Sequence, residues 1–236
     1  MKIMKYCHIV IAASFTAAIS CVNAATIFSD DFSTFSLGTT WNAAGNAPNS
    51  NLSSNGSYLN MQSNAGYGDA FSIYTTVPTA LNSYGDLTLI VEFTPVAGWL
   101  APFEMDIGGS AGYGARYFTY RSNEWSSDGT GASSDISGHW DLYTKYLATL
   151  NITSDGSNLS ISNGISIVYS RNYGLTRGDI GDNITLQFRQ LTQGDGTNVG
   201  ANIDSIHLSG VAIPETSTSL LYAVGIVFLF RRHRAV

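Results

Sequence analysis

The chain has 236 residues, a formal net charge of −6 and 12% charged residues, about half the usual share for a soluble domain. Of its 11 basic and 17 acidic residues, Lys2, Lys5, Arg231, Arg232, Arg234 and Glu215 lie near the ends, so 6 bases meet 16 acids between them. That balance excludes the basic stripe that phosphate backbones require, and with it nucleic-acid binding.

Residues 1–24 read as a secretory signal peptide. Lys2 and Lys5 form a positive start, Ile9 to Ile19 an apolar stretch, and Val22-Asn23-Ala24 a small-residue cleavage site before Ala25. The apolar stretch falls short of the ~20 residues of a bilayer span. The competing readings are a buried N-terminal helix and lipoprotein processing at Cys21. The two cysteines of the chain, Cys7 and Cys21, both lie in this segment. The mature domain therefore has neither a disulfide framework nor a thiolate metal site, and burial alone must stabilise it.

Residues 25–211 alternate short apolar runs with Gly, Asn, Asp and Ser. Strands are expected over 70–77, 86–96, 115–121, 147–153, 158–162, 165–171, 184–191 and 202–211. Leu87-Leu89-Val91-Phe93 and Ile184-Leu186-Phe188 alternate with polar neighbours, which puts one face in a core and the other in solvent. Asp155-Gly156 and Asn163-Gly164 mark hairpin turns, because tight turns need positive φ. No helical pattern of ten residues appears between the ends. The expected fold class is all-β: an antiparallel β-sandwich flanked by the signal peptide and a short C-terminal hydrophobic helix.

Residues 212–236 run from Ile213-Pro214-Glu215-Thr216 through an apolar stretch, Leu220 to Phe230, to Arg231-Arg232-His233-Arg234. The stretch is again short for a stable span, and terminal arginines stay cytoplasmic. A transient membrane stop that presents the preceding motif outside fits this order, as in other C-terminal signals whose tail is removed. An ordinary uncut anchor is the alternative. These residues resemble the PEP-CTERM sorting tail of Gram-negative, biofilm-forming bacteria. Pro214 and Glu215 match the motif, and Thr216 stands where the family usually has a second Pro. The resemblance implies an exosortase-type membrane protease as processing partner. It also implies a place at the cell surface, outer envelope or extracellular matrix.

The domain's own ends add a second resemblance. Asp30-Asp31-Phe32-Ser33 with Trp41, and Ile203-Asp204-Ser205-Ile206-His207-Leu208 at the close, look like concanavalin-type lectin and glucanase jelly rolls. In that group the first and last strands pair.

Chemistry-bearing residues are sparse. Glu104-Met105-Asp106 resembles the start of the Glu-x-Asp-x-x-Glu motif of jelly-roll glucanases, where alternation aims the acids into one cleft and retaining hydrolysis needs two carboxyls about 5 Å apart. The third place is Gly109, or Gly108 in the shorter variant, so the leaving oxygen has no acid. The expectation is no catalysis and no catalytic residue, with a glycoside hydrolase or lyase as the alternative. Alternation further places Glu104 and Asp106 on a solvent face and Phe103 and Met105 in the core. His139 and His207 are the domain's two histidines, without a Gly-x-Ser-x-Gly elbow or the ligands of a zinc site. His207 reads as a solvent-face residue and His139 as a loop residue. No organic cofactor is expected. Asp195 and Asn198, in Gly194-Asp195-Gly196-Thr197-Asn198, are candidate calcium ligands without the full spacing of a calcium loop. Trp125, Trp99, Trp140, Tyr113 and Tyr117, with Tyr120, are candidate sugar-binding residues, since pyranose rings stack on aromatic faces. Their competing role is core filling. The reading is an exported, non-catalytic carbohydrate-binding or structural β-sandwich. It expects a polysaccharide ligand and transient membrane contact through Leu220 to Phe230.

Overall fold

The computed structural model describes residues 24–45, 52–63, 71–79, 81–97, 104–109, 114–117, 141–190 and 199–213. The strands are β1 (Ala24–Asp30), β2 (Asn42–Gly45), β3 (Leu52–Ser54), β4 (Leu59–Ser63), β5 (Phe71–Thr76), β6 (Tyr84–Ala97), β7 (Glu104–Gly109), β8 (Gly114–Tyr117), β9 (Tyr146–Thr153), β10 (Gly156–Ser162), β11 (Ile167–Tyr173), β12 (Ile184–Gln190) and β13 (Val199–Ala212). A 3-10 turn at Leu81–Ser83 and a short helix, α1 (Arg177–Ile180), are the only helical pieces among the described residues.

Two antiparallel sheets form. The larger runs β11-β10-β9-β6-β13-β4-β3, with β1 also on β13; the smaller runs β2-β5-β12-β7-β8. Alternation explains the core. Leu87, Leu89, Val91 and Phe93 of β6 are buried, and so are Leu150 and Ile152 of β9 and Ile203, Ile206 and Leu208 of β13. Ile73, Met105, Ile107, Ile184, Leu186 and Phe188 of the smaller sheet join them in one cluster. The result is a β-sandwich. Met105 stands in the core as its alternation requires, whereas Phe103 lies outside the described residues.

The first and last strands pair, from Ala24 opposite Val211 to Asp30 opposite Ile206. Trp41, fully buried, ties the sheets together. Its ring lies 6.1 Å from that of Phe28 on β1 and 6.0 Å from that of Phe188 on β12.

One strand starts later than its composition suggests. Ile165 is 94% exposed and β11 begins at Ile167. The Asn163-Gly164 turn is wider than two residues. The Asn163 side-chain oxygen accepts from the amides of Ile165 and Ser166, Gly164 has φ 84°, and the register shifts between Ile161 and Ser162. In the preceding hairpin Ser154 and Asp155 make the turn, while Gly156, at φ 145°, already pairs with Thr153.

Candidate functional site

The outer face of the five-stranded sheet carries groups suited to a hydroxylated ligand. Because Ile73, Met105, Ile107, Leu186 and Phe188 point inward, their strand neighbours occupy the opposite face. Register then aligns one position from every strand. Asn42 is opposite Tyr74, Tyr74 opposite Gln187, Gln187 opposite Asp106, and Asp106 opposite Arg116. The row crosses five strands, or roughly 19 Å at the usual strand spacing.

The neighbouring rows are polar too. Ser72 is opposite Arg189, and Arg189 opposite Glu104. Gln187 donates from Nε2 to Ser72 Oγ at 2.9 Å, which holds its amide across two strands. Tyr74 and Gln187 are half-buried and Asn42 and Thr76 exposed. On the other side of the row, Gly108 is opposite both Thr185 and Gly114, two positions with no side chain beside the row. An aromatic ring and an amide fixed by a hydroxyl therefore share one face. Such a face can stack on a sugar ring and exchange hydrogen bonds with its hydroxyls.

The sequence-selected residues are only partly brought together. Glu104 and Asp106 stand two positions apart on β7, alternating in sequence with the buried Met105 and Ile107. Gly108 and Gly109, the two candidate third places, are opposite Thr185 and Ile184. Tyr117 lies on β8, opposite Met105 in register. Trp99, Trp125, Trp140, Tyr113, Tyr120, His139, Asp195, Asn198, Pro214 and Glu215 lie outside the described residues. Ala24 and Ala25 open β1, paired with Val211 and Gly210. His207 is half-buried on the outer face of the larger sheet, opposite Ile90 and Ser29. Among the described residues no three His, Cys, Asp or Glu side chains cluster as metal ligands. No helix among them is long and apolar enough to cross a membrane. Leu220 to Phe230 lies outside them.

Tyr74, Asn42 and Gln187 were not singled out in the sequence. Alternation within Phe71–Thr76 and Ile184–Gln190 signals their shared face. The neighbourhood of strands more than a hundred residues apart has no such local signal.

The strand ends sort into two poles. Gly45, Ser63, Ala97, Glu104, Tyr117, Gln190 and Val199 lie at one pole, as the pairs Gly45–Phe71, Ser63–Val199, Ala97–Gly200 and Arg189–Glu104 require. They lead into segments 46–51, 64–70, 98–103, 118–140 and 191–198. Ala24, Val211 and Tyr84 lie at the other pole.

No protein-family model matches the sequence, and no characterised protein is significantly similar to it in sequence. Solved structures are similar in fold. Peanut lectin, solved with a nine-residue peptide, superposes with a TM-score of 0.54 at 11% identity, over 82% of this chain and all of the lectin chain. Lectin II from Ulex europaeus gives 0.55 at 7% identity, over 79% of this chain and all of that one. The fold is that of the legume-type, concanavalin-like lectins. This lectin-like sandwich also resembles the exoplasmic/lumenal domain of VIP36 in its Ca2+/Man3GlcNAc-bound form, with a TM-score of 0.50 at 11% identity over 83% of this chain and 93% of that domain. A sialidase aligns at a TM-score of 0.50, with this chain spanning 19% of its length. At these identities the likeness establishes architecture alone.

Proposed function

We propose that the protein is a non-catalytic polysaccharide-binding sandwich, exported and held at the cell surface or in an extracellular matrix through its C-terminal segment. The observation that carries the binding half is the cross-sheet row Asn42–Tyr74–Gln187–Asp106–Arg116. It supplies an aromatic platform and amides across a width that suits a chain of several sugars. The lectin-like architecture supports the same reading, since VIP36 was solved with an oligosaccharide on a comparable sandwich. Trp125, Trp99, Trp140, Tyr113 and Tyr117 are proposed as further contacts, and Asp195 and Asn198 as candidate calcium ligands. The absence of an acid at Gly108 and Gly109 supports binding over hydrolysis.

The export half rests on the two terminal segments: residues 1–24 as a leader, and 212–236 as a tail cut by an exosortase-type protease of a Gram-negative cell. Mass spectrometry of protein from its host should find residues 1–24 and the tail beyond about Pro214 missing; an intact C-terminus would remove the sorting proposal.

Binding is tested with a polysaccharide panel against wild type, Tyr74→Ala, Gln187→Ala and Trp125→Ala. We expect wild-type binding that Tyr74→Ala weakens about tenfold or more, the loss of about 1.4 kcal/mol of contact. Wild-type binding untouched by both sheet variants would move the site elsewhere. No binding to any polysaccharide would leave a purely structural protein.

A further inference from the structure

We propose that the sandwich is a directional load-bearing module, strong against force that enters through its C-terminal attachment and weak against force that separates its two chain ends. The inference rests on the C-terminal attachment proposed above for its use, and on strand geometry for its mechanics.

A tether attached beyond Ile213 pulls on β13. This strand is enclosed on both sides. Along one flank it pairs with β6 from Gly200–Ala97 to Ala212–Tyr84. Along the other it pairs first with β4, from Val199 to Ile203, and then with β1, from Ile206 to Val211. Its inward side chains Ala201, Ile203, Ile206 and Leu208 are all buried. The Ile213 amide donates to the Ser83 carbonyl at 2.8 Å, so the clamp reaches the last described residue.

Inter-strand hydrogen bonds in an antiparallel ladder lie perpendicular to the strands. Force along β13 therefore loads the bonds to β6, β4 and β1 together, and sliding the strand would also drag its apolar face out of the core. Force across the ladder breaks the same bonds one pair at a time. Ala24 and Val211 are partners at the same pole, so pulling the two chain ends apart would peel β1 from β13. Removal of a leader frees the N-terminus from load. The peeling direction between the two ends then carries no load.

Two features reinforce the load path. Gly210 lets side chains of both flanking strands pack over β13, since a Cβ there would stand 2.8 Å from Ile27 Cδ1 and 2.9 Å from Tyr84 Cδ1. At the mid-strand bulge, Lys145 Nζ reaches Asp204 of β13 at 3.2 Å and Glu92 of β6 at 3.3 Å.

The experiment is single-molecule force spectroscopy on the full-length chain in detergent. Cys7→Ser and Cys21→Ser remove the two native thiols, and cysteine pairs then take the handles. Thr94→Cys with Ile213→Cys applies shear, because position 94 lies toward the far end of β6. Ala25→Cys with Ile213→Cys applies peel. We expect the shear pair to rupture at several times the force of the peel pair at equal loading rate, and the peel pair to release β1 first. Equal forces, or a weaker shear pair, would overturn the inference whether or not the tail anchors the protein. If Thr94→Cys loses the near-UV signature of the fold, Val96→Cys replaces it on the same strand face. Surface fractionation reads the attachment separately: a folded domain shed into the medium would refute the anchoring and leave the measured mechanics intact.

Discussion

Trp41 donates from its indole Nε1 to Asp30 Oδ2 at 2.7 Å, while the other oxygen of the same carboxylate accepts from the Phe32 amide at 2.7 Å. This pairing explains why an Asp at the end of the first strand and a Trp eleven residues later belong together. Phe32 has φ 56°, a left-handed conformation that a non-glycine residue adopts at a cost. The Asp30 carboxylate holds that turn, and the turn seats Phe32 against Trp41 with ring centres 5.7 Å apart. Asp30→Ala would strand a buried indole N–H. The expected loss is about 2–3 kcal/mol, measured by urea unfolding. Asp30→Asn, which keeps one acceptor, should lose about half as much. An Asp30→Ala variant as stable as wild type would show that water replaces the carboxylate.

Lys145 is the lysine between the two terminal segments, and it bridges Asp204 and Glu92. The Asp204 carboxylate 3.2 Å away raises its pKa above the ordinary 10.5, against desolvation, and Glu92 adds to the rise. A raised pKa in the folded state means the contribution is complete below the unfolded value and fades as pH climbs through the folded one. Lys145→Met should therefore lower stability at neutral pH by no more than about 1 kcal/mol, since the side chain is largely exposed. The gap to wild type should narrow as pH climbs above the ordinary lysine value. Thermal midpoints at pH 7 and pH 11 test this, and a gap that widens at alkaline pH would contradict it.

Gly210 is required by space rather than by backbone angle. Ile27 and Tyr84 would both crowd a new methyl group. Gly210→Ala should cost about 1–3 kcal/mol, the range of overpacked cores. Gly174 has nothing within 4 Å of an added Cβ, so Gly174→Ala should be neutral or slightly stabilising. Differential scanning calorimetry of the two variants gives the comparison; equal midpoints would mean that Ile27 and Tyr84 yield freely.

Glu104 opens β7, and neither Gly108 nor Gly109 on the same strand supplies a third acid. Glu104→Gln should change stability by less than about 0.5 kcal/mol. It should also leave turnover on β-glucans and galactans where wild type stands, at background. Hydrolysis by wild type that vanishes in Glu104→Gln would reinstate the hydrolase reading and require an acid from another strand.

The all-β class and most of the strands were legible because alternation is local. Leu87-Leu89-Val91-Phe93 declares its buried face within seven residues, and the structure buries all four. The start of β11 was not legible. Ile165 and Ile167 are β-branched and read as strand, yet Ile165 belongs to a turn stabilised by Asn163. A side-chain-to-backbone hydrogen bond outweighed propensity there. Glu104 and Asp106 were found because a two-residue spacing is written in the chain. Their partners on the sheet, Arg189, Gln187 and Arg116, come from strands whose order the chain does not spell out.

By itself the sequence determined the strand periods, the lack of thiols between residues 25 and 236, the acidic balance, and two terminal segments of opposite design. Each of these depends on residues near one another or on simple composition. The tertiary structure alone decided that β5, β12 and β7 are neighbours, that Trp41 closes on Asp30, and that β1 and β13 lie side by side with Ala24 opposite Val211. Those facts arise from pairing across as many as 187 positions, as between Ala24 and Val211. There the loop-closure entropy is offset only by the whole buried core, and no local pattern can announce the partner.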